Sequence, residues 1–198
     1  MVEQELRDLI YAGRESRHLE YKQSMSWDGD ARAKITKTIL AMSNLRDGGT
    51  IVLGEEQRQD DTFDPIGIDP SDAATFNSDN VLAFANEYAD PYVELYLRRL
   101  ELNGKTFVVI QVKEFEEIPV ICKKDYGDIL HRGKIYERSR RKWESSEIAS
   151  QSEMRELIEM TVEKRIRYLA RVGLLPAPAV SSAPADEELF EKQIEDLR

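Results

Sequence analysis

Two β-rich runs, Tyr92 to Leu102 and Lys105 to Val112, are joined by Asn103-Gly104. Asn-Gly is a strong hairpin signal, because both residues tolerate the positive φ of a type I′ turn whose twist matches the flanking strands. This hairpin commits the chain to antiparallel pairing, and the other elements must be placed around it. Thr50-Ile51-Val52-Leu53, a short apolar run after the tight turn Asp47-Gly48-Gly49, reads as a buried strand. Leu19-Glu20-Tyr21-Lys22 alternates and reads as another, with Glu20 and Lys22 on one face and Leu19 and Tyr21 on the other.

Helical periodicity supplies the rest. Glu3 to Ala12 is expected to be helical, with Gly13 as its stop, and Asp30 to Asn44 an amphipathic helix capped by Asp30. Ser71 to Asn86 reads as one helix capped by Ser71; Pro65 to Ile68, Pro119 to Cys122 and Ile129 to Arg138 read as short strands. Ser145-Ser146-Glu147 is expected to open a long helix to about Val172, closed by Gly173. The expected fold is α+β: a mixed, largely antiparallel sheet with flanking helices and a long C-terminal helix. Residues 1–172 form the domain, 173–186 a Pro/Ala-rich linker, and 187–198 a short amphipathic helix carrying Leu189, Phe190, Ile194 and Leu197.

Of 198 residues 33% are charged and 41% hydrophobic, which excludes a disordered chain. No run approaches the roughly 20 apolar residues of a membrane span, and the N-terminus lacks a signal-peptide pattern. Cys122 is the single cysteine, which rules out an intramolecular disulfide and a cysteine-based zinc site. These features point to the cytoplasm. The net charge of −10 is unevenly spread. Asp47 to Asp72 holds eight acids against Arg58, a net of −7, with Glu55 and Glu56 at the strand end. Ile121 to Lys142 holds Lys123, Lys124, Arg132, Lys134, Arg138, Arg140, Arg141 and Lys142 against three acids, a net of +5. Such runs are commonly solvated faces, but side-by-side cations repel unless an anion visits.

Glu15, just before the Leu19 strand, can curl back toward Glu20. Two carboxylates near one lysine suit metal-assisted phosphodiester cleavage, with Mg²⁺ or Mn²⁺ on the acids and Lys22 at the phosphate. The alternative is a surface pair on an edge strand. Gly48, Gly49 and Gly54 permit close backbone approach, or simply make a turn with loop acids beyond it. Gly104-Lys105-Thr106 imitates the end of a Walker A loop, but Arg99 stands where its first glycine is required, so the chain is not an ATPase. His18 and His131 are too far apart in sequence to suggest a metal pair. Trp27 and Trp143 are candidates either for packing or for base stacking, Trp143 the better for stacking because of its basic neighbours.

Together, Glu15-x4-Glu20-Tyr21-Lys22, Ala41-Met42-Ser43-Asn44, Asp47-Gly48-Gly49 and Ile51-Val52-Leu53-Gly54 resemble the Schlafen AlbA_2 domain family. Gly133 to Ser139 and Ser145-Ser146-Glu147-Ile148 resemble that family's closing motif, so the likeness spans roughly Leu6 to Ile158. The resemblance implies an α+β domain binding nucleic acid, RNA or DNA. For Schlafen proteins it implies a metal-dependent endoribonuclease acting on structured RNA such as tRNA. Glu15 and Glu20 match two of the family's metal-binding acids, and Lys22 matches its lysine. At the third, Gln57 holds the aligned position, and Glu56 serves only if the register shifts. Three readings follow: a nucleic-acid-binding domain contacting phosphates through the Lys123–Lys142 cations; an endoribonuclease using Glu15, Glu20, Glu56 and Lys22 with Mg²⁺ or Mn²⁺; and a non-catalytic interaction module. In the last, Glu187–Arg198 docks on a partner protein or a second copy, or packs on its own domain.

Overall fold

The computed structural model describes residues 3–140 and 143–174. Its elements are α1 (Glu3–Ile10), β1 (Leu19–Lys22), α2 (Gly29–Ser43), β2 (Gly49–Leu53), β3 (Glu55–Gln57), β4 (Phe63–Pro65), α3 (Pro70–Thr75), α4 (Ser78–Tyr88), β5 (Ala89–Asp90), β6 (Leu95–Leu102), β7 (Lys105–Val112), β8 (Ile121–Cys122), β9 (Tyr136–Arg138), β10 (Ser145–Glu147) and α5 (Gln151–Arg171). The expected α+β class is observed. A four-stranded sheet runs β1-β2-β7-β6, with β1 parallel to β2 and the other pairs antiparallel. Three two-stranded ribbons, β9–β10, β3–β4 and β5–β8, surround it.

The sheet's two faces carry separate apolar clusters. On one, Ile51, Leu53, Val108, Ile110 and Val112 pack with Ile35 and Ile39 of α2 and Phe84 of α4. On the other, Leu19, Tyr21, Val52, Phe107 and Val109 pack with Leu6 and Ile10 of α1. The alternation along β1 therefore places Glu20 on the α2 side. The Gly48-Gly49 turn that leads into β2 packs too closely to admit side chains. A Cβ on Gly48 would lie 2.0 Å from the Val112 carbonyl oxygen at a φ of +68°, and one on Gly49 2.6 Å from Met42 Sδ.

Several boundaries differ from expectation for local reasons. Ser145–Glu147 is a strand, paired antiparallel with β9. The long helix starts at Gln151, where Ser150 Oγ accepts from the Glu153 N–H at 3.1 Å. The Ser71–Asn86 helix is two helices, because Asn77 caps a fresh start by accepting from Asp79 and Asn80 N–H, while Asp69 rather than Ser71 caps α3. Asp28, not Asp30, precedes α2; Asp30 sits in the first turn, favourable to the helix dipole. The strand expected at Pro65–Ile68 forms at Phe63–Pro65, and that expected at Ile129–Arg138 shrinks to Tyr136–Arg138 beyond the positive-φ Gly133.

The described residues divide into two compact units, parted between Lys164 and Arg165. Most of the expected linker and all of the Glu187–Arg198 tail helix lie outside the described residues. No helix among the described residues is long and apolar enough to cross a membrane.

Candidate functional site

Glu20 is 5% exposed, and both of its oxygens are engaged. Oε2 pairs with the Arg138 guanidinium; Oε1 pairs with Lys22 Nζ and accepts from Thr38 Oγ1 at 3.3 Å. Arg138 is 0% exposed and also donates to the Ser16 and Leu19 carbonyls at 3.0 and 3.4 Å. This corrects its expected role as a surface phosphate contact: β9 packs inward against α2, and the guanidinium serves β1. Arg17 continues the network, pairing with Glu137 and, at 3.0 Å, with Glu156, which also takes Arg140 at 2.9 Å. A buried pair so enclosed is costly to break from either side.

Glu15 does curl back, accepting from the Tyr21 N–H at 2.9 Å. Burial, then the nearby Glu20 charge, raises its pKa above the ordinary carboxylate value. Of the three side chains after Gly54, Glu55 is buried, and neither of its oxygens has a hydrogen-bond partner. Burial and the nearby Asp64 push its pKa up to about 8, against the pull of Lys105. Glu56 points outward and is exposed.

A cavity of about 460 Å³ opens over this region. Its walls carry Glu15, Glu20 and Lys22 from the β1 segment, Lys34 and Lys37 from α2, Gln57 from β3, Asp128, Trp143 and Glu144. Gln57 is at the wall and Glu56 is not. The residues present do not fit Mg²⁺ or Mn²⁺ held by three acids. Glu20 has both oxygens committed to cations, and the third position offers a neutral amide. No group of three or more His, Cys, Asp or Glu among the described residues is placed to hold a metal ion.

A family model described as Schlafen, AlbA_2 matches residues 15–146, two-thirds of the sequence. The chain belongs to the Schlafen AlbA_2 family. Similar solved structures include the DIP2311 protein of Corynebacterium diphtheriae, at 13% identity and a TM-score of 0.48 over 73% of this chain. This chain spans 26% of that protein. The N-terminal domain of a RecG-related protein from Nitrosomonas europaea is 24% identical, with a TM-score of 0.41, over 56% of this chain and 71% of that one. No curated protein matches. Membership of the AlbA_2 family points to a nucleic-acid-related function.

In this AlbA_2 domain the basic segment is largely compensated. Lys124 pairs with Glu87 at 3.4 Å, Lys134 with Glu147 at 2.8 Å, and Arg140 with Glu156. Lys123 and Arg132 make no ion pair among the described residues; Lys123 lies 4.9 Å from the Tyr92 ring centroid. Arg141 and Lys142 fall outside the described residues. Trp27 is a packing residue, stacked edge-on to Phe84, whereas Trp143 is 46% exposed. Sequence reasoning missed Lys34, Lys37, Asp128 and Glu144. The i, i+3 spacing of the two lysines along α2 was the available signal for a shared face.

Proposed function

We propose that this AlbA_2 domain binds nucleic acid through the cavity flanked by β1 and α2, and that it binds without cleaving. The observation that carries this reading is the placement of Lys34 and Lys37 on the wall that also holds the half-exposed Trp143. Neither lysine makes an ion pair with a carboxylate among the described residues, so both are available to phosphates, while the indole offers a stacking face. Binding in preference to cleavage is supported by the commitment of Glu20 to Arg138 and Lys22 and by Gln57 at the third position. Lys123 and Arg132, exposed on a neighbouring segment, are further candidates for phosphate contact.

The test is a titration of labelled tRNA, a single strand and a duplex at low salt with EDTA, followed by incubation of the RNAs with Mn²⁺. Binding in EDTA with intact RNA in Mn²⁺ is the expected result. Cleavage in Mn²⁺ that disappears in Glu15→Gln would overturn the non-catalytic part. Glu15→Gln is the better probe, because truncating Glu20 strands the buried Arg138 charge. Absence of any binding at low salt would overturn the whole reading.

A further inference from the structure

The sheet face opposite Glu20 is only partly covered. Its apolar cluster with α1 ends at Val52 and Val109. Beyond them the pairing register lines up Thr50, Gln111 and Tyr96 across β2, β7 and β6, with Arg98 beside Val109 on the same face. This row floors an open cavity of about 570 Å³, walled by Leu9, His18 and the Gly48-Gly49 turn. The turn is held flat against β7, since a Cβ on Gly48 would collide with the Val112 carbonyl. The glycine part of its rim is therefore bare backbone, and Asp47 stands next to it on the cavity wall.

Three features of this cavity suit one ligand. Tyr96 is 53% exposed on the edge strand, and its ring is steadied by Lys113, whose Nζ lies 5.2 Å from the centroid and is anchored by Glu94 at 2.7 Å. Arg98 is exposed and makes no ion pair among the described residues. Gln111 offers an amide donor and acceptor directly across from Tyr96, and His18 donates Nδ1–H to the Gly48 carbonyl at 2.7 Å, which fixes the ring on that wall. A flat ring, an amide and a free guanidinium within one shallow site match a planar, hydrogen-bonding ring that carries a phosphate.

We infer that this open end of the sheet binds one unpaired nucleotide of a single strand, its base against Tyr96 with Gln111 at its edge and its phosphate at Arg98. A base inside a duplex presents no free face to Tyr96, so the site selects single strands. The ligand class rests on the nucleic-acid reading above, but the site does not, since it lies on the other face of the sheet.

A single-stranded RNA of about ten nucleotides carrying 5-iodouridine would be irradiated with the protein and the adduct mapped by mass spectrometry. The affinities of Tyr96→Ala, Tyr96→Phe, Arg98→Ala and a Lys34→Ala/Lys37→Ala protein for strand and duplex would be measured alongside. The adduct is expected on Tyr96. Tyr96→Ala should weaken single-strand binding by about fivefold or more, as loss of one base–aromatic stack does. Tyr96→Phe should keep the affinity, and duplex binding should be unchanged in both. An adduct confined to Trp143, or single-strand affinity untouched by Tyr96→Ala and Arg98→Ala yet lowered by the lysine pair, overturns this site and leaves the first cavity standing. Binding to no nucleic acid overturns both.

Discussion

Glu20 in β1 and Glu55 at the start of β3 are two carboxylates withdrawn from water, 5% and 0% exposed, on adjoining parts of one domain. The fold treats them in opposite ways. Glu20 meets a buried guanidinium, an ammonium and a hydroxyl, so its charge is matched within the protein. Glu55 meets no hydrogen-bond partner, and the group resolves its burial by holding its proton to about pH 8. Burial alone therefore does not make a carboxylate reactive. Glu20 keeps its charge against Arg138 and Lys22, whereas Glu55 keeps its proton up to about pH 8.

The contrast can be broken most forcefully at Arg138. Arg138→Met leaves Glu20 buried with Lys22 as its remaining ionic partner, and should cost about 3–5 kcal/mol in urea unfolding. Adding Glu20→Leu should restore much of that loss, because the orphaned charge goes too. A loss below about 1 kcal/mol for Arg138→Met would show that the pair is not the anchor described here.

Glu55 should behave in the opposite sense. Its folded pKa, about 8, lies above the ordinary carboxylate value of 4.5, so between these pH values the native state holds a proton that the unfolded state has released. The stabilising protonated form is fully present below pH 4.5. Stability then falls, by up to about 1.4 kcal/mol per pH unit, until the folded group ionises near pH 8. Glu55→Gln removes this slope. The variant should gain on the parent from pH 5 to 8, reaching about 2 kcal/mol once the amide's own unmet hydrogen bonds are discounted. Parallel stability–pH curves for the two proteins would contradict the assignment.

The smallest effect is expected where the pair is exposed. Lys134→Ala, which breaks the contact with Glu147, should change stability by less than about 1 kcal/mol, and added salt should shrink that further. A larger loss, measured by thermal unfolding, would mean that the ribbon β9–β10 depends on its surface charges.

The same contrast marks what was legible in the sequence. β1 occupies the expected Leu19–Lys22, and the Asn103-Gly104 hairpin forms, because period-two alternation and turn chemistry are local. The partner of Glu20 was not legible, since Arg138 lies 118 residues away and stands among look-alike cations. Nothing in Arg138-Ser139-Arg140 distinguishes the guanidinium that turns inward from the one that stays in water. Glu55 and Glu56 are likewise adjacent and identical in type, and only the pleat of β3 decides which is buried. Ser145–Glu147 misled because a Ser/Glu pattern signals a helix start, whereas pairing with β9 overrides that propensity. A Ser-x-x-Glu pattern does cap α5, but it is Ser150–Glu153.

The most direct measurement is the salt dependence of RNA binding in EDTA, for the parent and for Lys34→Ala/Lys37→Ala. Binding is expected without a divalent cation and should weaken steeply as salt rises, with the slope reduced by about two in the double variant, one for each lost phosphate contact. Binding that requires Mn²⁺, or an unchanged slope in the variant, would contradict this expectation.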